Sequence, residues 1–265
     1  MLAAERQARI AQEIHRRGSV RVSEFASRFG VSDMTIRRDL NLLAQQGLLD
    51  KVHGGATRRL PSTDEPGFEA KSGRQQAEKE AIAAAAAELV TPGAAIGISA
   101  GTTTWALARH LRDVGGLTVV TNSIRVADAF HAHAAAGQEI VLTGGVRTPS
   151  DALVGPLAVA ALAGLHLDAV FLGVHGMSPD AGYTTPNLLE AEANRALIAA
   201  ARRLVIVADH TKWSVVGIST IATLDRADIV VTDDGLADDA RAEFGEHVGD
   251  LRVATVPTRA EEFER

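Results

Sequence analysis

Along the first sixty residues, apolar and polar positions alternate in a pattern that predicts three short helices and a hairpin. Ile10 and Ile14 stand four apart on one face of a segment from about Ala4 to Arg17, with Gly18 placed to end it. "VRVSEFASRFG" follows, in which Ser23 can cap a second helix, Phe25, Ala26 and Phe29 form its buried side, and Gly30 stops it. After a tight turn at Val31 comes "VSDMTIRRDLNLLAQQG". Its apolar residues Ile36, Leu40 and Leu43 recur at i, i+4 and i+7, Ser32 sits at the N-cap, and Thr35, Arg37, Arg38 and Asn41 fall off the stripe. Gly47 closes that helix, and "GLLDKVHGGA" alternates into a Gly-Gly turn like the wing of a winged helix. Two helices joined at a tight turn, with basic residues near the start of the second, form a helix-turn-helix.

The next stretch, residues 58–73, is rich in Pro, Gly, Ser, Thr and charge and predicts a linker between a first domain over 1–57 and a second over 74–265. An alanine-rich helix spans about Arg74 to Val90. Short β-branched runs at 94–99, 117–121, 139–143, 169–173, 204–208 and 229–232 then alternate with helical ones. Strands separated by helices predict a doubly wound, mostly parallel α/β sheet. Ligands in such sheets sit outside the carboxyl ends of the strands. The segments there read "SAGTTT", "TNS", "TGG", "GVHG" and "ADHTK": small and polar, with Lys212 as their one cation. "GTTT" leads into a helix at Trp105, so Thr102 and Thr103 can offer N–H and hydroxyl donors to a phosphate.

Composition narrows this picture. At 265 residues and 46% hydrophobic content the chain can bury a real core, and without cysteine it has no disulfide, thiolate nucleophile or Cys-ligated zinc. No apolar run approaches a membrane span, and "MLAAERQARI" does not read as a secretory signal, so a cytoplasmic location is expected. The net charge of −6 is uneven: residues 1–60 hold 11 basic against 6 acidic side chains, and the remainder 16 against 27. A basic head on an acidic body predicts that the head alone meets a polyanion such as DNA, where Arg37 and Arg38 reach phosphates or guanine edges and Thr35 a phosphate or base.

Residues 6–57 closely resemble the N-terminal domain of the DeoR family of bacterial transcriptional regulators, through Val31-Ser32, Thr35-Ile36-Arg37-Arg38-Asp39-Leu40 and His53-Gly54-Gly55-Ala56. The resemblance continues over about 75–255 in "SAGTTT", "VVTNSIRVA", "TGGVR", "LDAVFLGVHGM", "LLEAEANRALI" and "VADHTKW". It implies a sensor domain similar in fold to ribose-5-phosphate isomerase that binds phosphorylated sugars or related metabolites. It further implies DNA contacts by Ser32, Thr35, Arg37, Arg38, Asn41, His53, Gly54 and Gly55. In the sensor domain it implies a phosphate cradle of Gly101, Thr102 and Thr103 with Lys212 opposite, ligand-facing Asn122, Ser123, Gly144 and Gly145, and a Glu190 suited to sugar hydroxyls. The family usually has aspartate where this chain has Ser99, and often lysine where it has Asn194, so Ser99 beside the cradle bears on which hydroxyls are read. The expected partners are a double-stranded DNA operator, a phosphorylated sugar or polyol effector and a second copy, in a homodimer or homotetramer acting as a repressor of carbohydrate or polyol genes. No cofactor, metal or membrane is expected.

Rival chemistries fit less well. "GISAG" matches a G-x-S-x-G nucleophile elbow with Ser99 at its centre, and "HGGA" an oxyanion motif. A hydrolase needs a strand and helix between the two, where residues 57–93 offer a linker and one helix. An isomerase using Glu190 as base beside Lys212 would consume the signal that a regulator reads. His131 and His133 point apart on a helix, and "DALVG" supplies a lone carboxylate, Asp151, so neither predicts a metal site.

Overall fold

The protein is described here from a computed structural model, which covers residues 2–17, 19–45, 48–52, 54–58, 65, 67–131 and 135–257. Its chain divides into two units, Met1–Pro61 and Ser62–Arg265.

In the first unit, α1 (Ala3–Arg17) is followed by β1 (Ser19–Arg21), α2 (Val22–Phe29), α3 (Asp33–Gln45), β2 (Leu49–Val52) and β3 (Gly55–Arg58). The helical stripes close on one core, where Ile10, Ile14, Phe25, Ile36, Leu40 and Leu43 are all buried. Gly30 ends α2 in the left-handed region at φ +64°, its N–H donating to the Ala26 carbonyl. Ser32 caps α3: its Oγ accepts from the Thr35 N–H at 3.2 Å.

Ser23 is not the cap expected of it. The helix α2 begins two residues earlier, with Arg21 in the cap position, because Val22 is buried and its N–H donates to the Gly54 carbonyl at 2.8 Å. That bond belongs to a strand the periodicity did not foretell. β1 pairs with β3, so the hairpin is part of a three-stranded antiparallel sheet in the order β1-β3-β2. Gly55 lies opposite Arg21, and any Cβ there would collide with the Val20 carbonyl. A further tie runs between helices: Asp39, 3% exposed, accepts from Arg6 Nε at 2.5 Å and Gln7 Nε2 at 2.8 Å, clamping α3 to α1. Gly18, Gly47 and His53 lie outside the described residues.

In the second unit the elements are α4 (Phe68–Ser72), α5 (Gln76–Ala87), β4 (Ala95–Ile98), α6 (Thr102–His110), β5 (Thr118–Thr121), α7 (Ile124–His131), β6 (Glu139–Leu142), β7 (Val146–Arg147), β8 (Leu153–Val154), α8 (Pro156–Leu162), β9 (Ala169–Leu172), β10 (Gly176–Ser178), β11 (Gly182–Thr185), α9 (Leu188–Ala199), β12 (Leu204–Val207), β13 (Ser219–Ala222), β14 (Ile229–Asp233), α10 (Asp238–His247) and β15 (Asp250–Ala254). Seven strands form one all-parallel sheet in the order β15-β14-β12-β9-β4-β5-β6. Helices cover both faces, which is why successive residues of a strand enter different cores. Val170 and Leu172 join Leu197, Ile206 and Phe244, while Ala169 and Phe171 join Ile82, Leu107 and Val205. All six expected strands are present. β15, the antiparallel sheet β10-β11-β13 and the pair β7-β8 are additional. β15 carries charge in "DLRVA" at the sheet's edge, so it has no apolar run to betray it.

The expected linker does not extend to residue 73. Phe68 is buried against Trp105, with ring centroids 5.8 Å apart in an edge-to-face contact. Its N–H donates to the Pro149 carbonyl at 3.1 Å, so α4 is part of the second unit. Residues 59–64 and 66 lie outside the described residues. The alanine-rich helix is shorter than 74–90, running as α5 after Gln75, whose φ of +50° breaks it from α4.

Replacing Leu40 by Ala removes a side chain 1% exposed from the small first core. The expected cost is about 2–5 kcal/mol, read as an earlier urea transition of that unit with the second unit's transition unmoved.

Candidate functional site

On α3 of the first unit, the residues off the apolar stripe form a single face. Met34, Arg37, Arg38 and Asn41 fall at i, i+3, i+4 and i+7, all exposed, opposite the buried Ile36, Leu40 and Leu43. Arg37 and Arg38 form no ion pair among the described residues. Thr35 is half-buried and its Oγ1 lies 2.9 Å from Ser32 Oγ, so both hydroxyls belong to the helix cap. Gly54 is exposed at the turn between β2 and β3, with φ +74°, whereas Gly55 is buried and structural. Met34, 74% exposed, is the residue sequence reasoning passed over, because an apolar side chain at a helix start reads as core. Two basic side chains, an amide and a thioether on one exposed helix face suit phosphate, base-edge and thymine-methyl contacts.

In the second unit the parallel sheet places every strand's carboxyl end on one edge. The five polar segments follow β12, β9, β4, β5 and β6, five neighbours in the sheet. After β4 the chain proceeds to β5 on one side and later to β9 on the other, so the strand order reverses between β4 and β9. Ser99 bridges that switch point: its N–H donates to the Phe171 carbonyl at 3.0 Å and its Oγ accepts from the Gly173 N–H at 3.1 Å. It is fully buried, and the hydroxyl of the would-be nucleophile elbow is committed to the backbone of β9.

The helix α6 begins at Thr102, not at Trp105, with Gly101 as N-cap at φ +150°. Thr102 and Thr103 are therefore its first turn, and their amides have no earlier helical carbonyl to meet, as anion binding requires. Asn122 and Ser123, at most 1% exposed, hold the loops in shape. Asn122 Oδ1 accepts from the Ala100 N–H at 3.0 Å and its Nδ2 donates to the Leu153 carbonyl at 3.2 Å; Ser123 Oγ accepts from the Val126 N–H at 3.2 Å, capping α7. Gly144 and Gly145 have φ of +76° and +121°, and a Cβ on Gly145 would strike the Val154 carbonyl, so this turn is built for close passage of β8.

Glu190 lies in the first turn of α9, which Asn187 caps through the Leu189 and Glu190 amides. Thr148 Oγ1 donates to Glu190 Oε1 at 2.8 Å and Thr185 Oγ1 to Oε2 at 3.3 Å. Burial, then the adjoining carboxyl of Glu65, pushes Glu190 up to about 7. Glu65 goes the other way: burial opposes ionisation, but donors from Asn187 Nδ2 at 2.8 Å and Ser150 Oγ at 2.9 Å hold it below the usual range. Lys71 Nζ in turn donates to Ser150 Oγ at 2.8 Å.

Lys212 is not the sole cation here. It sits in a 3-10 turn, His210–Lys212, and both Lys71 and Lys79 feel its charge. Lys79, 6% exposed on α5, donates to the Lys71 carbonyl at 2.7 Å and the Arg74 carbonyl at 2.5 Å. Burial lowers Lys79 to about 8, with Lys212 and Lys71 adding to the shift and Asp209 opposing it. Burial likewise lowers Lys71, against the pull of Glu190 and Glu65. Lys71 and Lys79 escaped sequence reasoning because they stand in segments read as a linker and as an alanine-rich helix. A lysine in "AEKEAIAAAAA" carries no sign of burial beyond its place beside Ile82. The turn itself is braced by His210, whose Nδ1 lies 2.6 Å from Asp233 Oδ2. A cavity of about 320 Å³ lined by Pro92, Ile96, Asp168 and Arg203 opens at the opposite, amino end of the strands, away from all these groups.

Residues 74–234 match the DeoR C terminal sensor domain and residues 6–60 the DeoR-like helix-turn-helix domain. The HTH-type transcriptional regulator GlpR of Haloferax volcanii is 34% identical over 92% of this chain and 95% of its own. The glycerol-3-phosphate regulon repressor of Escherichia coli is 32% identical over 88% and 92%, and the HTH-type transcriptional repressor CsqR of the same organism 33% over 83% and 84%. All three are named as regulators or repressors rather than enzymes. Ribose 5-phosphate isomerase A from Methanocaldococcus jannaschii aligns over 51% of this chain and 53% of its own, with a TM-score of 0.38 and 15% identity.

The raised carboxyl sets a pH dependence. Glu190 holds its proton in the folded protein up to about 7 and loses it near 4.5 when unfolded, so the folded state binds the extra proton between those values. Stability from this group is full below about 4.5 and falls as pH rises towards 7. Glu190→Gln is expected to melt progressively higher than the parent between pH 5 and pH 8; a constant difference in melting temperature would contradict the assignment.

Proposed function

Because the chain belongs to the DeoR family of transcriptional regulators, we propose that it is a repressor of carbohydrate or polyol genes whose DNA affinity is set by a phosphorylated sugar or polyol. In this reading a head of about residues 1–57 binds the operator through Arg37, Arg38, Asn41 and Met34, with His53 and Gly54 at the wing. Residues 74–265 sense the effector. One recognition helix and one wing make a small footprint, so repeated half-sites are read by a homodimer or homotetramer in the cytoplasm.

The observation that supports the effector assignment is the grouping of Lys71, Lys79 and Lys212: Lys79 donates to the Lys71 carbonyl at 2.7 Å, Lys71 to Ser150 at 2.8 Å, and Lys212, in the turn that follows β12, acts electrostatically on both. Three buried or half-buried ammonium groups are costly unless an anion joins them. The name of the glycerol-3-phosphate regulon repressor supports the same chemical class. Glu190, with Thr148 and Thr185, supplies the hydrogen-bonding groups that sugar hydroxyls need.

Arg38→Ala is expected to weaken operator binding by roughly 1–3 kcal/mol and leave effector response intact. Equal affinity of variant and parent across a salt titration would remove α3 from the interface. Lys212→Ala is expected to keep operator binding and to lose at least about tenfold in effector affinity, the scale of one charge-assisted contact. The effector is to be found by thermal shift over phosphorylated sugars and polyols, since a ligand of the folded state raises its melting temperature. A wild-type response in Lys212→Ala would refute the phosphate assignment.

A further inference from the structure

The segment Glu65–Ser72 bears two groups that point to a role beyond joining the units. Glu65 is the fourth residue of the second unit, and the chain from the DNA-reading head reaches the sheet through it. Its carboxylate accepts from Ser150 and Asn187 and adjoins that of Glu190. Lys71, six residues on, donates to the same Ser150 and lies within the electrostatic reach of Glu190, Glu65 and Lys212. Residues 67–72 are held to the unit by the Phe68 N–H bond to the Pro149 carbonyl, the Phe68–Trp105 contact, the Arg125–Glu69 ion pair at 2.7 Å and the Lys79 bond to the Lys71 carbonyl, whereas Glu65 is held through its carboxylate.

We propose that Glu65 and Lys71 are ligand-reading residues of the effector site, and that hydroxyl groups of the ligand bridge Glu65 to Glu190 and so fasten this segment. The proposal rests on the phosphorylated-sugar reading above and names how that site reports occupancy. Two adjoining carboxyls repel unless a proton or a donor lies between them. A carboxylate can accept about four hydrogen bonds; Thr148 and Thr185 donate to Glu190, Asn187 and Ser150 donate to Glu65, and a hydrogen bond between Glu190 and Glu65 joins the two. A polyol chain offers donors that can replace this shared proton and fill the remaining acceptor positions without carrying charge. Its phosphate belongs with the other charge in the cluster, at Lys71, Lys79 and Lys212. The ligand class that satisfies both halves is a short chain with vicinal hydroxyls and one terminal phosphate. Inorganic phosphate satisfies only the cationic half, so it is expected to bind without fastening the segment.

The charged groups that act on Glu190 are Glu65 and Lys71; Lys212 acts on Lys71 and on Lys79, and Asp209 and Glu78 act on Lys79. This arrangement gives a test that needs no ligand. In Glu65→Gln, an isosteric change, a carboxyl-carbon NMR titration of the full chain should show Glu190 titrating below its parent midpoint. An unmoved midpoint overturns the pairing, whatever the ligand proves to be.

The second arm uses hydrogen exchange of the full chain with glycerol 3-phosphate, glucitol 6-phosphate and inorganic phosphate as probes. Saturation with the tighter polyol phosphate should slow the amides of Phe68 and Lys71 at least about fivefold, whereas inorganic phosphate should leave them unchanged. Glu65→Gln should weaken that polyol phosphate about tenfold and abolish the slowing, with its melting temperature kept. Parental affinity and parental slowing in Glu65→Gln would overturn the proposal. If neither polyol phosphate binds the parent while Glu190 shifts as stated, the phosphorylated-sugar reading fails and the Glu65–Glu190 pair stands.

Discussion

Seven strands running in one direction impose most of what this protein can do. Parallel neighbours cannot be joined by a tight turn, so each strand must return through a crossover, and every carboxyl end then opens on the same edge. Residues as distant in sequence as Ser99 and Gly173 become neighbours by that constraint alone. The reversal of strand order between β4 and β9 leaves a gap between the outgoing loops, and Ser99 spans it with two backbone bonds. The same burial on both faces explains the all-buried strands "AVFL" and "LVIV", each feeding alternate side chains to separate cores.

Along that edge, polar residues divide into those that hold the loops and those left to meet something else. Asn122, Ser123 and Ser99 spend their hydrogen-bonding groups on neighbouring backbone, and their burial follows from it. Glu65, Glu190, Lys71, Lys79 and Lys212 interact electrostatically as a mixed-charge cluster, with no direct ion pair between them among the described residues. Such a cluster shifts its own protonation: Glu190 moves up and Lys79 down, each towards its neutral form, because burial penalises charge and a like charge adds to it, Glu65 for Glu190 and Lys212 with Lys71 for Lys79.

The first unit shows the same sorting within eight residues of "SDMTIRRD". Ser32 caps, Ile36 packs, Arg37 and Arg38 face solvent, and Asp39 turns inward to clamp Arg6 and Gln7. Two adjacent arginines and an aspartate look in sequence like one charged surface. The 100° step of the helix carries the aspartate into the core side while the arginines stay outside.

Helix periodicity, glycine stops and the alternation of apolar runs with helices were legible from the chain alone, since each is a local consequence of burial on one face or two. They yield the winged head, the six principal strands and the polar strand ends, and the family resemblance follows from the same residues. Where Ser23, the start of α6 and the extent of the linker were misjudged, a long-range contact outweighed the local signal: Val22 bound to Gly54, Thr102 buried at a strand end, Phe68 packed on Trp105. The edge strand β15 and the gathering of Lys71, Lys79, Glu65 and Glu190 left no periodic trace, because pairing at a sheet edge and convergence of charged side chains depend on which segments the crossovers bring together. Sequence determined the elements and their chemistry; tertiary structure decided which charges would have to share one site.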